Sequence, residues 1–198
     1  MISFQDIDNS EPYLKFKDEY DKAVAKNQNI IEAICISSYS LENKIVDSRF
    51  VNLKTVNNKE FIFFSNYTSP KAIQFETHNQ ISAVIFWAET NVQIRMKAKI
   101  KKLSIYENKK YFESRSKEKN ALAISSMQSK KIDSYDQVKI NYQDAYENQD
   151  LSLCPQYWGG FSFEPYYFEF WEGNKNRLNK REVFEKLENH WDKYILQP

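Results

Sequence analysis

Three basic residues lie at positions where their side chains could bind phosphate. Arg49 and Lys54 begin and end the stretch RFVNLK, and Lys71 follows Ser69 and Pro70 at the start of a predicted helix. Residues five apart point to opposite faces of a straight strand, so Arg49 and Lys54 could contact different ligands, or a ligand and a second chain. A helix N-terminus attracts anions through its free N–H groups, and a lysine beside it adds a full charge.

Neutral hydrogen-bonding side chains accompany these cations at three further positions. Gln93 lies on a predicted strand whose alternate residues are polar, and Gln128 and Ser129 are adjacent in the stretch MQSK. Their amide and hydroxyl groups could donate hydrogen bonds to a bound anion. Each feature alone is also typical of an ordinary solvated surface.

The three glycines of the chain all lie in one stretch, YWGGFSFEPYYFEFWEGNKNRLNKR, near the C-terminus. The stretch also holds two tryptophans and two arginines: Trp158, Trp171, Arg177 and Arg181. One interpretation is purely structural, because a strand that begins after a glycine turn could bury two core aromatic residues. The concentration of aromatic and cationic side chains makes a binding segment the other interpretation.

The order of predicted elements indicates a β-barrel with peripheral helices. Residues 9–28 combine a capping residue with apolar residues at helical spacing, and residues 69–79 begin with the Ser-Pro of a helix start. Isoleucine-rich or alternating segments predict strands at 30–39, 48–56, 59–67, 81–88, 92–103 and 161–171. Residues 105–148 have helical spacing, and the final segment could be a helix or a hairpin that turns at LENH. We predict a mainly β protein with added helices, built as a single antiparallel barrel.

Composition argues against several other classes of protein. The 198 residues are 41% hydrophobic, and 28 Lys+Arg balance 27 Asp+Glu, which argues against a nucleic-acid-binding domain. Cys35 and Cys154 lack metal-ligand spacing, so we expect buried thiols in a reducing compartment and no metal site. The N-terminus has no signal-peptide pattern and no apolar run could span a bilayer, which predicts a soluble, cytoplasmic protein. No GxGxxG loop supports a Rossmann dinucleotide site.

Seven segments occur together in an order that resembles one enzyme family. They are SRFVNLK, FFSNYTSPK, NVQIRMKAKI, YFESR, MQS, YWGGF and EFWEGNKNRLNKR. In this order they are similar to the motifs of the pyridoxamine 5′-phosphate oxidase family, from about Ile30 to Pro198. The resemblance implies an FMN-binding split β-barrel and a homodimer with FMN in a cleft between the subunits. Residues 1–198 would form one domain, with residues 1–29 as an N-terminal helical extension.

The resemblance also implies a role for each matching residue. Arg49 and Lys71 would bind the FMN phosphate, with help from Ser65, Gln128 and Ser129. Gln93 would contact the isoalloxazine ring, and Trp171 and Arg181 would complete the cofactor site from the other chain. The substrate phosphate would be bound by Lys54, Tyr111 and Arg115, with Lys119 in the same set. Arg177 would lie over the substrate ring with Asn179 beside it, as the catalytic pair. Gly159 and Gly160 would permit a backbone turn at the start of the last barrel strand.

Three residues depart from the family pattern, mostly on the substrate side. Asn179 replaces a histidine, and asparagine can form hydrogen bonds but cannot titrate near neutral pH. Pro70 replaces an arginine beside Lys71, which removes one phosphate cation. Lys119 replaces a serine and adds a charge. The terminal RLAP of many members reads ILQP here. These departures affect the identity of the substrate more than that of the cofactor.

The function that the resemblance implies is an FMN-dependent oxidase. It would convert pyridoxamine or pyridoxine 5′-phosphate to pyridoxal 5′-phosphate, with dioxygen as the acceptor and hydrogen peroxide as the second product. One alternative is a related FMN-dependent oxidase that acts on another substrate, for example in phenazine biosynthesis. A second is a non-catalytic protein that binds flavin or pyridoxal phosphate, and a third is an interaction barrel without a cofactor.

Overall fold

The computed structural model describes residues 1–198 and contains ten strands and five helices. The strands are β1 (Ser3–Gln5), β2 (Ala33–Ser40), β3 (Ile45–Asn52), β4 (Thr55–Asn57), β5 (Glu60–Asn66), β6 (Gln80–Trp87), β7 (Val92–Lys102), β8 (Trp158–Glu172), β9 (Lys180–Lys186) and β10 (Trp191–Leu196). The helices are α1 (Glu11–Ala25), α2 (Pro70–Thr77), α3 (Ile105–Glu113), α4 (Lys117–Ser125) and α5 (Tyr135–Asn148). No helix is long and apolar enough to cross a membrane.

All ten strands belong to one curled sheet. Its order is β1-β4-β5-β8-β7-β6-β2-β3, and β9 and β10 are added in turn to the second half of β8. The short β1–β4 pair is parallel, which corrects the all-antiparallel prediction, and every other pair is antiparallel. The end strands β1 and β3 do not pair with each other, so hydrogen bonds leave the barrel open. The prediction of a mainly β, split-barrel protein with peripheral helices is confirmed.

The core of the barrel is built from alternating apolar residues and is unusually aromatic. Along β7 every second residue from Val92 to Ile100 is buried, as the alternation predicts. From α1, Phe16 is fully buried and meets the ring of Phe61 edge-on at 4.9 Å between centroids. Burial of one such side chain contributes about 1.5–3 kcal/mol. The N-terminal segment predicted as an extension therefore shares its core with the barrel, and β1 joins the same sheet.

The final segment is a hairpin, which decides between the two interpretations of the sequence. β9 pairs with β8 and β10 pairs with β9, so Trp191 lies opposite Lys186. A helix here would leave the second half of β8 as an exposed edge with unpaired N–H and C=O groups. The buried Glu182 of β9 accepts from both Lys15 of α1 and Lys193 of β10, which ties the hairpin to the N-terminal helix.

Gly159 and Gly160 do not form a turn, because both lie inside β8 and no glycine has a positive φ. The predicted reason for these glycines is therefore wrong. A methyl group on Gly159 would lie 2.5 Å from Asn108 Nδ2. Asn108 Oδ1 accepts from Gly160 N at 2.8 Å, and Tyr67 Oη donates to Gly160 O at 2.9 Å. Glycine is needed here because α3 and the end of β5 approach the strand closely.

The two cysteines also differ from the expectation. Cys35 and Cys154 are free thiols, but both are partly exposed rather than buried. Burial raises the pKa of Cys154, with Arg115 and Lys109 opposing the shift.

Candidate functional site

A cleft of about 540 Å³ opens between β3, the end of β5, the start of β8 and the helices α3 and α4. Seven of the predicted site residues line it: Lys54, Ser65, Lys71, Tyr111, Arg115, Lys119 and Gln128. The four cations in this set face no lining aspartate or glutamate. Because unpaired positive charges repel one another in a confined space, the cleft is suited to an anionic ligand.

At one end of the cleft Lys71 is nearly buried and has no carboxylate partner. Its Nζ lies 3.2 Å from Ser69 Oγ and 2.9 Å from Gln128 Oε1, and its exposure is 8%. Burial, followed by the positive charge of Arg49, lowers the pKa of Lys71 to about 8. A buried ammonium whose charge is disfavoured in this way would be stabilised by a bound anion.

Arg49 lies beside Lys71 and is held by neutral groups. It donates to Ser38 Oγ at 2.6 Å, to Ile36 O at 3.3 Å and to Gln74 Oε1 at 3.3 Å. Its nearest carboxylate oxygen, on Asp47, is 3.9 Å away. Burial lowers the pKa of Arg49, while the charge of Asp47 opposes that shift. The guanidinium is therefore fixed in position without a close, neutralising ion pair.

The side chain of Gln128 joins these groups. Its Oε1 accepts hydrogen bonds from Lys71 Nζ at 2.9 Å, from Ser65 Oγ at 3.0 Å and from the backbone N of Asn66 at 3.4 Å. Three donors that converge on one oxygen form an arrangement that also suits a phosphate oxygen. Ser129 follows with a positive φ of 68° and lines a separate cavity of about 270 Å³ beside α4 and α5.

At the other end of the cleft three cations lie together, and one of them, Arg115, has a donor with no partner. Burial lowers the pKa of Lys54, and nearby Lys119 and Arg115 lower it further, while Glu32 opposes the shift. Arg115 Nη2 donates to Lys119 O at 2.9 Å, whereas Arg115 Nη1 is buried without any hydrogen-bond partner. Burial raises the pKa of Tyr111. A buried donor that lacks a partner is costly, so a ligand oxygen at this position would relieve the cost.

Phe64 and Trp158 line the cleft beside Tyr111 and Arg115, and neither was among the predicted site residues. Phe64 stacks on Tyr111 with 3.6 Å between ring centroids and on Trp158 with 5.3 Å. The guanidinium of Arg115 lies 4.4 Å from the Trp158 ring centre. For Trp158 the sequence left a core role and a place in a binding segment both open, and for Phe64 the only signal was that it directly precedes Ser65 in the stretch FFSN.

A second group of predicted residues forms a row across three strands, which we call the strand row: Gln93, Trp171 and Arg181. Gln93 of β7 lies opposite Trp171 of β8, which in turn lies opposite Arg181 of β9. The sequence did not predict a site role for Glu169, whose buried carboxylate accepts from Arg181 Nε at 2.8 Å and pairs with Arg95 Nη2 at 3.1 Å. This ion pair orients the guanidinium of Arg181 and raises its pKa.

The predicted catalytic pair lies in the loop between β8 and β9, close to the strand row. Arg177 is exposed and has a positive φ of 60°. Asn179 Oδ1 accepts from the backbone N of Asn174 at 3.0 Å, so part of its hydrogen-bonding capacity stabilises the loop. Sequence reasoning did not foresee this structural use of Asn179.

Within one chain the cleft and the strand row lie at opposite ends of β8. Trp158 begins the strand and Trp171 is its penultimate residue, a separation of about 40 Å along the strand at roughly 3.3 Å per residue. The fold therefore brings the predicted residues together as two groups rather than one. This separation is the structural reason to expect a second chain at a site that uses both groups.

Comparison with known proteins identifies the family. Residues 20–149 match the family model described as pyridoxamine 5′-phosphate oxidase, and residues 158–198 match the pyridoxine 5′-phosphate oxidase C-terminal dimerisation region. The chain is 33% identical to the pyridoxine/pyridoxamine 5′-phosphate oxidase of Leptospira interrogans over 96% of this chain and 89% of that protein. It is 34% identical to pyridoxine/pyridoxamine 5′-phosphate oxidase 1 of Hydrogenovibrio crunogenus over 90% and 82%.

Solved structures support the same fold. PhzG from Burkholderia lata, determined in complex with tetrahydrophenazine-1-carboxylic acid, superposes with a TM-score of 0.89 at 24% identity and covers 96% of this chain and 93% of its own. A pyridoxamine 5′-phosphate oxidase-related, FMN-binding protein from Nostoc punctiforme gives a TM-score of 0.76 at 13% identity, with 92% and 97% covered. The chain belongs to the pyridoxamine 5′-phosphate oxidase family and is an FMN-dependent oxidoreductase. Its match to the dimerisation region supports a homodimer.

Proposed function

We propose that the protein oxidises pyridoxamine 5′-phosphate or pyridoxine 5′-phosphate to pyridoxal 5′-phosphate, with FMN as cofactor and dioxygen as electron acceptor. The observation that carries this proposal is a cleft with four cations, no lining carboxylate and a buried, unpartnered Arg115 Nη1. Lys71 lies at one end beside Arg49, and the other three cations lie together at the other end, which suits two phosphorylated ligands that bind side by side. One phosphate belongs to FMN and the other to the substrate.

The residues around Lys71 fit the phosphate of FMN. Lys71 and Arg49 supply positive charge. The Ser65 hydroxyl and the backbone N–H of Asn66 supply neutral donors, which already converge with Lys71 Nζ on Gln128 Oε1. A bound phosphate would displace Gln128 Oε1 from these donors or make the Gln128 amide rotate so that its NH₂ group donates. Ser129 would add its hydroxyl from the same loop.

The strand row then acts on the ring system of the cofactor. Gln93 would donate to the isoalloxazine ring, and Trp171 and Arg181 would pack against it from the second subunit. The separation of the strand row from the cleft along β8 supports this division of one site between two chains. Glu169 holds the guanidinium of Arg181 in place.

The substrate would be held by its phosphate at one end and by its ring at the other. Lys54, Arg115 and Lys119 supply charge for the phosphate, and Tyr111 supplies a neutral donor. Arg177 would lie over the ring, and Asn179 would orient the reacting group by a hydrogen bond from its Nδ2. The chemistry that FMN supplies is acceptance of a hydride from substrate C4′, followed by reoxidation with dioxygen to give hydrogen peroxide.

A second candidate function is oxidation of a different anionic substrate, such as a dihydrophenazine carboxylate. The observation that favours it is Asn179, which replaces the family histidine and is partly occupied by the backbone of Asn174. A further alternative is a non-catalytic protein, which would bind flavin without its being reduced by any of these substrates.

The experiment that tests these functions is anaerobic reduction of the FMN-loaded protein, followed as loss of flavin absorbance. Pyridoxamine 5′-phosphate, pyridoxine 5′-phosphate, their unphosphorylated forms and a dihydrophenazine carboxylate are compared in parallel. We expect rapid bleaching with a phosphorylated vitamer, much slower bleaching without the phosphate, and recovery of colour in air. Bleaching by the phenazine alone would establish the second candidate, and no bleaching by any compound would support a binding protein.

The variant Asn179→His tests the substrate side separately. If the missing histidine limits activity on B6 substrates, pyridoxine 5′-phosphate should reduce the flavin of this variant faster. The reduction rate should also acquire a dependence on an ionisation near neutral pH. Unchanged rates with every substrate would remove Asn179 as an argument for the second candidate.

A further inference from the structure

Three near-parallel aromatic rings line the substrate end of the cleft: Tyr111, Phe64 and Trp158, which we call the aromatic stack. Tyr111 and Phe64 are 5° from parallel, Phe64 and Trp158 are 10°, and Tyr111 and Trp158 are 8°. Phe64 contacts both other rings, at 3.6 Å and 5.3 Å between centroids. The stack joins the end of β5, the start of β8 and α3 at one point in the cleft wall.

The polar contacts of Arg115 are too few to fix its side chain. Its only hydrogen bond runs from Nη2 to Lys119 O, Nη1 has no partner, and no carboxylate pairs with it. Its guanidinium carbon instead lies 4.4 Å from the Trp158 ring centre and 5.5 Å from that of Phe112. A guanidinium stacked on aromatic rings keeps its full charge and its outward N–H groups, whereas a carboxylate partner would use both.

Tyr111 is oriented in a similar way. Its ring is held by the close stack on Phe64, while its hydroxyl forms no hydrogen bond within the chain. Both side chains are thus positioned through ring faces, and each keeps a donor without a partner, Arg115 Nη1 and the Tyr111 hydroxyl.

We propose that Trp158 and Phe64 are positioning residues for substrate-phosphate recognition, which act by holding Arg115 and Tyr111 with their donors free. This inference rests on the proposed function, because it assigns the Arg115 end of the cleft to the substrate phosphate. Positive charge alone is then not sufficient for phosphate binding, because the cations also need an aromatic support that does not neutralise them. Loss of the stack should therefore weaken phosphate binding while all four cations remain.

The test is a double-mutant cycle between Trp158 and Arg115 in the FMN-loaded dimer. Trp158→Leu, Trp158→Phe, Arg115→Ala and the double variant Trp158→Leu with Arg115→Ala are compared for KM and kcat with pyridoxamine 5′-phosphate. A desolvated cation–π contact corresponds to about a ten- to thirtyfold change in binding. We expect Trp158→Leu to raise KM by that amount with a smaller change in kcat, and Trp158→Phe to recover most of the loss.

In the Arg115→Ala background, Trp158→Leu should cause almost no further loss, because its effect passes through Arg115. Equal losses in both backgrounds would show that Trp158 has only a structural role and would overturn the inference. If Trp158→Leu does not fold, Phe64→Leu tests the same inference through the contact between Phe64 and Tyr111. Tyr106→Leu on the exposed face of α3 is the matched control and should leave KM unchanged.

Inorganic phosphate separates this inference from the proposed function. Its binding to the FMN-loaded protein, measured by calorimetry, requires no turnover. If the parent protein binds phosphate but does not oxidise a B6 vitamer, the proposed function fails, while the cycle can still be completed with phosphate dissociation constants in place of KM. If phosphate binds Trp158→Leu and Phe64→Leu as tightly as the parent, the aromatic stack does not position the phosphate donors.

Discussion

The environment of Lys71 would favour an anionic ligand but lowers the stability of the ligand-free protein. It is nearly buried beside Arg49 and has no carboxylate partner, and this environment lowers its pKa from 10.5 to about 8. Below about pH 8 the ligand-free fold carries the ammonium form at a cost to its stability, and this cost disappears as the pH rises towards 10.5. A phosphate at the same place reverses the preference, because it stabilises the ammonium form.

We expect FMN binding to weaken above pH 8 because Lys71 then has to take up a proton on binding. The dissociation constant should be nearly constant from about pH 7 to 8 and should then rise by up to about tenfold per pH unit. Quenching of FMN fluorescence on binding measures this directly. Lys71→Arg cannot lose its charge in this range, so its affinity should stay flat with pH. A parent profile as flat as that of Lys71→Arg would exclude Lys71 as a phosphate ligand.

Arg177 carries the prediction about catalysis. We expect Arg177→Ala to slow anaerobic flavin reduction by about a hundredfold or more, because an oriented positive charge beside the reacting ring stabilises developing negative charge. Substrate binding should weaken much less, since the substrate phosphate is held in the cleft. Rapid-mixing measurements across substrate concentration separate the two effects. Lys175→Ala in the same exposed loop is the control. If Arg177→Ala reduced its flavin at the parental rate, this loop would not be part of the active site.

At the scale of elements, β8 organises the molecule. It pairs with β5 along its first half and with β9 along its second half, while β7 runs beside nearly its whole length. The first half forms part of the cleft wall through Trp158, and the second carries Trp171 and leads into the loop with Arg177. One strand of 15 residues thus contributes one residue to the cleft wall and one to the strand row.

The glycines of β8 test how tightly that strand is packed. Gly159→Ala would place a methyl group against Tyr67 and Asn108, whose side chains are held in the buried network around Gly160. Overpacking of this kind costs about 1–3 kcal/mol, so we expect a clear fall in the free energy of unfolding. Chemical denaturation with FMN removed measures it.

Gly173→Ala is the comparison for this prediction. Its new methyl group would meet the side chain of Asn91 in a partly exposed turn, where that side chain can move. Its cost should therefore be smaller than that of Gly159→Ala. Equal destabilisation by both substitutions would mean that the network around Asn108 is no more rigid than an exposed turn.

At the scale of the whole molecule, the separation between the cleft and the strand row is the reason for proposing an active site shared between two subunits. The match to a dimerisation region covers residues 158–198, and these residues include β8 and the strand-row members Trp171 and Arg181. A dimer could bring the strand row of one subunit to the cleft of the other.

Mixed dimers test this division directly. Lys71→Ala damages the cleft, and Trp171→Leu damages the strand row while leaving both arginine partners of the buried Glu169 in place. Each variant alone should bind FMN weakly, but a Lys71→Ala subunit paired with a Trp171→Leu subunit has one intact site. Co-expression should therefore restore tight binding at about a quarter of all sites. A site built within one chain would show no restoration.

The sequence by itself was sufficient for much of the architecture. Alternation along residues 92–103 and helical spacing along residues 9–28 determined β7 and α1, because the side-chain period of an element is a local property. The order of the motifs also indicated the family and its cofactor. The short strands β1 and β4 and the C-terminal hairpin were missed or left undecided, because their stability comes from neighbours distant in sequence.

Only the tertiary structure decided how the site residues are supported. No local pattern shows that Gly159 is required by the approach of Asn108, that Arg115 rests on Trp158, or that Glu169 holds Arg181. These contacts join residues from 12 to more than 50 positions apart, and they depend on which strands become neighbours in the curled sheet. Residue type and spacing thus determine which groups are available for chemistry. Strand order and close packing determine which of those groups meet, and which keep a free donor for the ligand.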